Sequence, residues 1–501
     1  MKRYLIFLVL LYALILCSCS SSRKAFDPNR KYPVASLQED YTVFRNVLEH
    51  YHPSIYWFTP KDSMDYFFNK GYEQLNDSLT EPQFRNVLLN VITKIRCGHT
   101  SLRYSKRYAH YLDTARLRAF PLSFKVWPDS VAVIGSLRPG DSIFRRGTVV
   151  RGINGMPMRK IVDTFLNYLV TDGNALVGKY QTLSARGSFG SLYRNLFGLP
   201  NQFDIEYVDP NGNIKTSRIP VFVPVIDTSK KQSRPVVANR PTPNRPSAPA
   251  INPDRNLQID TTLSSAYMTI NTFSRGHGIR RFLKESFREL KERSIQHLVI
   301  DVRANGGGDP NLSTLLTRYL IDRKFKLADS LYAVRKSGPY NKHIKYFFFY
   351  RLSLLFAMHK KQDGNYHFSY FEKHYYKPKK KNHFNNNVYI ITGGNSFSAT
   401  TIFAKSLKGQ KNVLIVGEET GGGAYGNTAW KIPDVVLPNT KMKFRLPLFR
   451  LVMDSAAIAA GRGIIPDIEA APTVETIRKG IDPKVEKVKE IILQRNAVSR
   501  Q

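Results

Sequence analysis

Between residues 257 and 475 four short apolar runs alternate with segments of helical period, which restricts this part of the chain to an α/β layer structure. "SSAYMTINTF" and "NVLIVGEE" read as strands, and "HLVIDVR" and "NVYIITGG" are short apolar runs suited to a buried sheet. Between the first two, "GIRRFLKESFRELKERS" sets Ile279, Phe282, Leu283, Phe287 and Leu290 on one side, the stripe a helix needs to dock on a sheet. After the third run, "SATTIFAKSLKGQ" predicts a helix ending at Gly409. Residues 335–387 interrupt the alternation with an aromatic and basic insert that includes "YFFFYRLSLLFAMHKK". A lid, a membrane-touching patch and a buried helical insertion all fit that composition.

Upstream the period changes. Residues 35–118 read as a helical domain, best seen in "TEPQFRNVLLNVITKIR". There Thr80 and Gln83 form a capping box, Pro82 sits in the permitted first turn, and Phe84, Val87, Leu88, Val91, Ile92 and Ile95 make one apolar face. This helix leads into "CGHTSL", which reads as extended with His99 exposed. Residues 119–227 are β-rich, and "RGTVVRGINGMPM" within them resembles the carboxylate-binding loop region of PDZ domains. Residues 228–256, with six prolines, cannot offset chain entropy by burial and predict a linker. Residues 257–475 form the core, and 476–501 predict a C-terminal helix.

The first residues, "MKRYLIFLVLLYALILCSCSSS", have a short basic start, an apolar stretch short for a spanning helix, and then small residues. "LCSC" looks like a bacterial lipobox, so residues 1–19 are expected to act as a signal cleaved before Cys19, which then carries lipid. Residues 20–34 would be a tether. The expected place is the cell envelope, at the outer membrane facing the periplasm. Lys and Arg outnumber Asp and Glu 75 to 39 in the 501-residue chain. The excess is scattered and accompanies no nucleic-acid motif, so an anionic membrane surface is the expected counterpart rather than nucleic acid.

Chemistry concentrates at two glycine-rich strand ends. In "GGNSFSATTIF" Ser398 stands where a strand turns into a helix, and the N–H of Ala399 is free of intrahelical partners. On the turn alone, a nucleophile and a helix-capping serine are equally good readings. "DVRANGGGDP" ends another strand with Gly306, Gly307 and Gly308, where backbone N–H groups can approach a substrate. It lacks the GxxxxGK[ST] pattern of a phosphate loop. Cys97 and His99 would make a lesser nucleophile pair, but Cys97 reads more simply as a small buried residue.

"DVRANGGG", "GGNSFSATTIFAKSL", "VGEETGGG" and "GRGIIPDI", in this order, resemble the tail-specific, or C-terminal-processing, serine peptidases, whose relatives include the tricorn core and retinoid-binding proteins. The resemblance implies a crotonase-like (ClpP/crotonase) α/β core with a PDZ-like domain. It also implies Ser398 as nucleophile and oxyanion donors from Gly307 and Ala399. The lysine of the best-known members is replaced by Gly423 in "GEETGGGAYG", so the tricorn-like branch, with His99 as base, is expected instead. Asp454 is expected to orient His99, with Glu418, Glu419 and Asp467 as competitors. The expected partner is a protein or peptide substrate. No cofactor or metal is expected, since no HExxH or comparable spacing occurs. The alternative is a non-catalytic peptide- or apolar-ligand-binding protein on the same fold. A polycationic adhesion protein is a third reading.

Overall fold

The computed structural model describes residues 26–224, 252–355 and 357–498. The segment read as an export signal, Cys19 and most of the proline-rich segment lie outside the described residues. Among those described, no helix is long and apolar enough to cross a membrane.

Helices α1 (Val34–Tyr51), α2 (Lys61–Glu73) and α3 (Glu81–Ile95) open the fold. α3 starts as its spacing predicts, with the Thr80–Gln83 capping box formed and the Thr80 N–H donating to Gln83 Oε1 at 2.9 Å. Arg96, at φ 56°, ends it in the left-handed region. These helices are not a body with their own centre. Phe44, Leu48, Phe84 and Leu88 share one core with Met268, Ile300, Phe403 and Phe444 from the second half of the chain. The Phe44 and Phe444 rings meet edge to face at 5.4 Å. Buried Asp40 accepts the N–H groups of Asn439 and Thr440 at 2.7 and 2.8 Å. The stretch after α3 is therefore held against the later residues.

The central sheet has six strands in chain order: β1 (Arg255–Asp260), β2 (Ser265–Ile270), β3 (His297–Asp301), β4 (Asn387–Thr392), β5 (Val413–Gly417) and β6 (Ile468–Glu469). β1 runs antiparallel to β2 and the other pairs are parallel. β1 begins at Arg255, inside the segment read as linker. The two-residue period of the strands sorts their apolar side chains to both faces. Leu298, Ile300, Val388 and Ile390 join the large core with α4 (Ile279–Glu292), α5 (Pro310–Leu320) and α6 (Ala399–Leu407). Val299, Tyr389, Ile391 and Val416 join a smaller core with Val488 and Ile492 of α7 (Pro483–Val498). The C-terminal helix read over 476–501 is two helices, because Gly480 at φ 69° ends a first one at Lys479. Each fully buried aliphatic side chain is worth about 1.5–3 kcal/mol. The strand ends at Asp301 and Thr392 are thus carried on a rigid platform.

Residues 119–224 enclose a separate aromatic core, including Phe120, Phe124, Phe165, Phe189 and Phe203. Strands Val150–Ile153, Gln202–Val208 and Ile214–Pro220 lie in one antiparallel sheet there, with Ile214–Pro220 at its edge. The insert at 335–387 is anchored by buried Ile344, Met358 and Phe384, but its helix Phe347–Leu355 is not a buried insertion. Tyr346, Phe348 and Phe349 are 72%, 70% and 68% exposed.

Candidate active site

Ser398 is presented by a sharply bent turn between β4 and α6. Fully buried Ser396 secures that turn, its hydroxyl donating to Val302 O at 2.9 Å and accepting from Gly393 N at 3.2 Å. Ser398 itself sits at φ 57°, ψ −120°, a conformation costing a non-glycine residue on the order of 1–3 kcal/mol. Its side chain makes no helix-capping hydrogen bond. The capping reading therefore fails, and the Ser398 hydroxyl faces His99 Nε2 at 3.0 Å.

The glycine loop after β3 presses against this turn. Fully buried Asn305 holds it, donating Nδ2 to Ile270 O at 3.1 Å and accepting the Phe397 N–H on its backbone oxygen at 3.2 Å. Its Oδ1 accepts the Gly307 N–H at 2.9 Å. Gly307 has φ 99°, and a Cβ there would lie 2.8 Å from both Ser398 Cβ and Phe397 O. This corrects the assignment of Gly307 as an oxyanion donor, because its N–H is already spent on Asn305. The N–H groups of Gly308 and Ala399 have no hydrogen-bond partner among the described residues. Both residues line a cavity of about 220 Å³ beside Ser398. Ile402, Ala429, Trp430 and Ile432 supply its apolar wall, and Lys431 and Arg445 its cations. A larger cavity of about 990 Å³ near Tyr32 and Lys441 has no part of this serine–histidine arrangement in its wall.

His99 lies in a turn and is 7% exposed, against the expectation of an exposed residue in an extended segment. Its ring lies against Phe397 at 4.6 Å, which orients the imidazole towards the serine. Burial, and secondarily the Arg445 cation, push its pKa down to about 3, so the imidazole is neutral near pH 7. On the far side of the ring, Nδ1 is 4.0 Å from Asp172 Oδ1. Asp172 is 2% exposed; burial pushes its carboxyl up to about 7, although the Gly98 N–H donates to it at 2.7 Å.

The carboxylate opposite His99 is thus Asp172, not Asp454. Asp454 pairs with Lys405 at 2.6 Å and its other oxygen caps Ala456. Its competitors are likewise engaged elsewhere: Glu418 with Lys484, Glu419 with Arg462, and Asp467 with Lys408. Asp172 comes from "VTDGN", a segment that reads as an ordinary turn of the β-rich unit. At Gly423 a Cβ would meet the Tyr425 ring at 2.3 Å, so a lysine there would require that ring to move. Buried Cys97, its thiol pushed up to about 12 by burial and then by Asp172, is no nucleophile.

With this geometry in view, the likenesses to known proteins are informative. Residues 264–470 match the model of peptidase family S41. No curated protein sequence matches the chain. Among solved structures, mature CPAF complexed with lactacystin is similar over 93% of this chain and 99% of its own, at 15% identity and a TM-score of 0.63. Mature CPAF alone is similar over 92% and 96%, at 15% identity and a TM-score of 0.60. At such identities the likeness is one of fold, and it extends well beyond the matched segment. Over residues 264–470 the chain is thus similar to peptidase family S41, the tail-specific serine peptidases, and that match supports a serine peptidase.

Proposed function

We propose that the protein is a membrane-anchored endopeptidase of the cell envelope, working through an acyl-enzyme on Ser398 with His99 as base. The observation that carries this reading is the 3.0 Å approach of His99 Nε2 to Ser398 Oγ, made by residues 299 positions apart. A neutral imidazole accepts the hydroxyl proton as Oγ attacks the scissile carbonyl carbon. The resulting oxyanion is held by the N–H groups of Gly308 and Ala399, each such donor being worth about 2.7–4 kcal/mol. The imidazolium then returns its proton to the leaving amine, and water resolves the ester by the same route. Asp172, ionised, keeps the imidazole turned towards the serine and balances its transient charge.

The cavity beside Ser398 suits a medium apolar side chain next to the scissile bond. The crotonase-like core and the PDZ-like unit belong to the same reading. In the latter, the edge strand Ile214–Pro220 offers unpaired backbone groups to an extended substrate by strand addition. The lipobox ending at Cys19 supports an anchor, with Ser20 after it favouring the outer membrane, and the exposed Tyr346, Phe348 and Phe349 suit contact with a lipid interface.

A fluorophosphonate probe tests the mechanism. Labelling of the wild type that both Ser398→Ala and His99→Ala abolish is expected. Undiminished labelling of His99→Ala would remove the base from the mechanism, and no labelling of the wild type would remove the nucleophile.

A further inference from the structure

Behind the imidazole, His99 and Asp172 share a second arrangement with Cys97, a residue to which peptide hydrolysis gives no role. Cys97, His99 and Asp172 each bring a ligand atom to one spot, and these atoms lie within 4.8 Å of one another. All three residues are at most 7% exposed. Two of their polar atoms, His99 Nδ1 and Asp172 Oδ2, have no hydrogen-bond partner among the described residues. Cys97 Sγ makes a long contact, 3.8 Å, to Thr428 O. Orphaned buried polar atoms are costly, on the order of 1–3 kcal/mol each, and call for an explanation.

We propose that these three residues form an inhibitory site for a borderline-soft divalent cation of the zinc class. A thiolate, an imidazole nitrogen and a carboxylate are the donor set such an ion favours, while the sulfur disfavours magnesium and calcium. Metal–nitrogen and metal–oxygen bonds of about 2.0–2.2 Å at a tetrahedral angle hold their donor atoms roughly 3.4 Å apart, so binding would draw the Asp172 carboxylate, whose Oδ1 is 4.0 Å from Nδ1, slightly towards the ring.

The consequence for the base rests on the reading of His99 given above. For catalysis, Nε2 must offer its lone pair to the Ser398 hydroxyl, so the ring proton resides on Nδ1. An ion bound at Nδ1 takes the Nδ1 lone pair, so the single ring proton moves from Nδ1 to Nε2. Nε2 then donates towards Ser398 Oγ instead of accepting from it. The Cys97 thiol gives up its proton to solvent on binding, and no redox step is involved. Binding thereby converts the base into a hydrogen-bond donor without moving the serine.

Cobalt(II) and zinc(II), added to the full chain in a chelator-free buffer, test the site and its effect separately. Cobalt is expected to give a thiolate charge-transfer band in the near ultraviolet, absent in Cys97→Ala. Zinc is expected to slow fluorophosphonate labelling reversibly. In Cys97→Ala the labelling rate without metal should stay within about twofold, while half-inhibition should need at least about tenfold more zinc. Cys97→Ser, which keeps the volume, serves the same purpose if the alanine variant does not fold. Absence of the band, or equal zinc sensitivity in wild type and variant, would overturn the proposal. A band in a protein that never labels would uphold the ion site and overturn the base reading instead.

Discussion

The serine half of the site and the histidine half are built on opposite principles. Around Ser398 the two side chains that pin the turn are committed: Ser396 to Val302 and Gly393, Asn305 to Ile270 and Gly307, with the Asn305 carbonyl accepting from Phe397. The N–H groups of Gly308 and Ala399, without partners among the described residues, line the cavity beside Ser398. Around His99 the commitments are fewer. Nδ1 and Asp172 Oδ2 are orphaned, and the imidazole–carboxylate gap, at 4.0 Å, exceeds a hydrogen bond. The difference teaches that the oxyanion side is preorganised in the free protein, whereas the base side has to tighten when substrate excludes water.

The comparison breaks first if either half is dispensable. Ser398→Ala and His99→Ala should each lower peptide hydrolysis on the order of 10⁶-fold, since groups acting as one unit fail together. Both variants should keep thermal midpoints within a few degrees of the wild type. A residual rate within about a hundredfold of the wild type in His99→Ala, measured on a fluorogenic peptide, would show that the two halves do not cooperate.

Asp172 tests the slack side and should come next in size. Asp172→Asn removes the ionised partner while keeping the shape, and hydrolysis should fall by roughly 10³-fold, somewhat less than for a tightly bonded triad carboxylate. Because the carboxyl is pushed up to about 7, kcat/KM of the wild type should rise as pH increases through that value. The limb should vanish in the variant. Stability should run the other way. The folded protein holds this proton more tightly than the unfolded chain, so stability is undiminished below about pH 4 and lost as pH rises to about 7. At about 1.4 kcal/mol per unit, Asp172→Asn should gain a few kcal/mol at pH 8 by denaturant titration. A variant that loses stability there would show that the carboxylate is structurally satisfied.

On the tight side, Asn305→Ala removes one buried acceptor and one buried donor. It should cost about 2–3 kcal/mol in denaturant unfolding and roughly 10²-fold in hydrolysis, through a loosened Gly307–Gly308 backbone. Equal stability without loss of rate would mean that the glycine loop needs no such pin.

How much was legible in the sequence follows the same division. The strands, Ser398 and the Ala399 donor are visible because local rules produce them: apolar runs, a glycine turn, a helix start with free N–H groups. The capping box of α3 is visible for the same reason. The choice between Gly307 and Gly308 was not, since it depends on which N–H the Asn305 side chain takes. Asp172 was invisible because nothing in its own segment marks it; only the packing of the β-rich unit beside α3 brings it to Gly98 and His99. The helical segment reads as a unit of its own, yet it shares the large core, because an amphipathic face does not say what covers it.

Asp454 supplies the smallest expected effect and the sharpest control on the contrast. It was a reasonable sequence candidate, acidic and downstream of Ser398, yet it forms a partly exposed ion pair with Lys405 on the outer side of α6. Exposed pairs of this kind contribute about 0.2–1 kcal/mol, and Asp454 has no contact through which to hold the imidazole. Asp454→Asn should therefore change hydrolysis by less than about twofold and leave the limb near pH 7 in place. Set beside Asp172→Asn on the same peptide, it separates a carboxylate that acts on His99 from one that merely anchors a helix. A loss of tenfold or more in Asp454→Asn would reverse that assignment and make the tighter, not the slacker, of the two carboxylates the partner of the base.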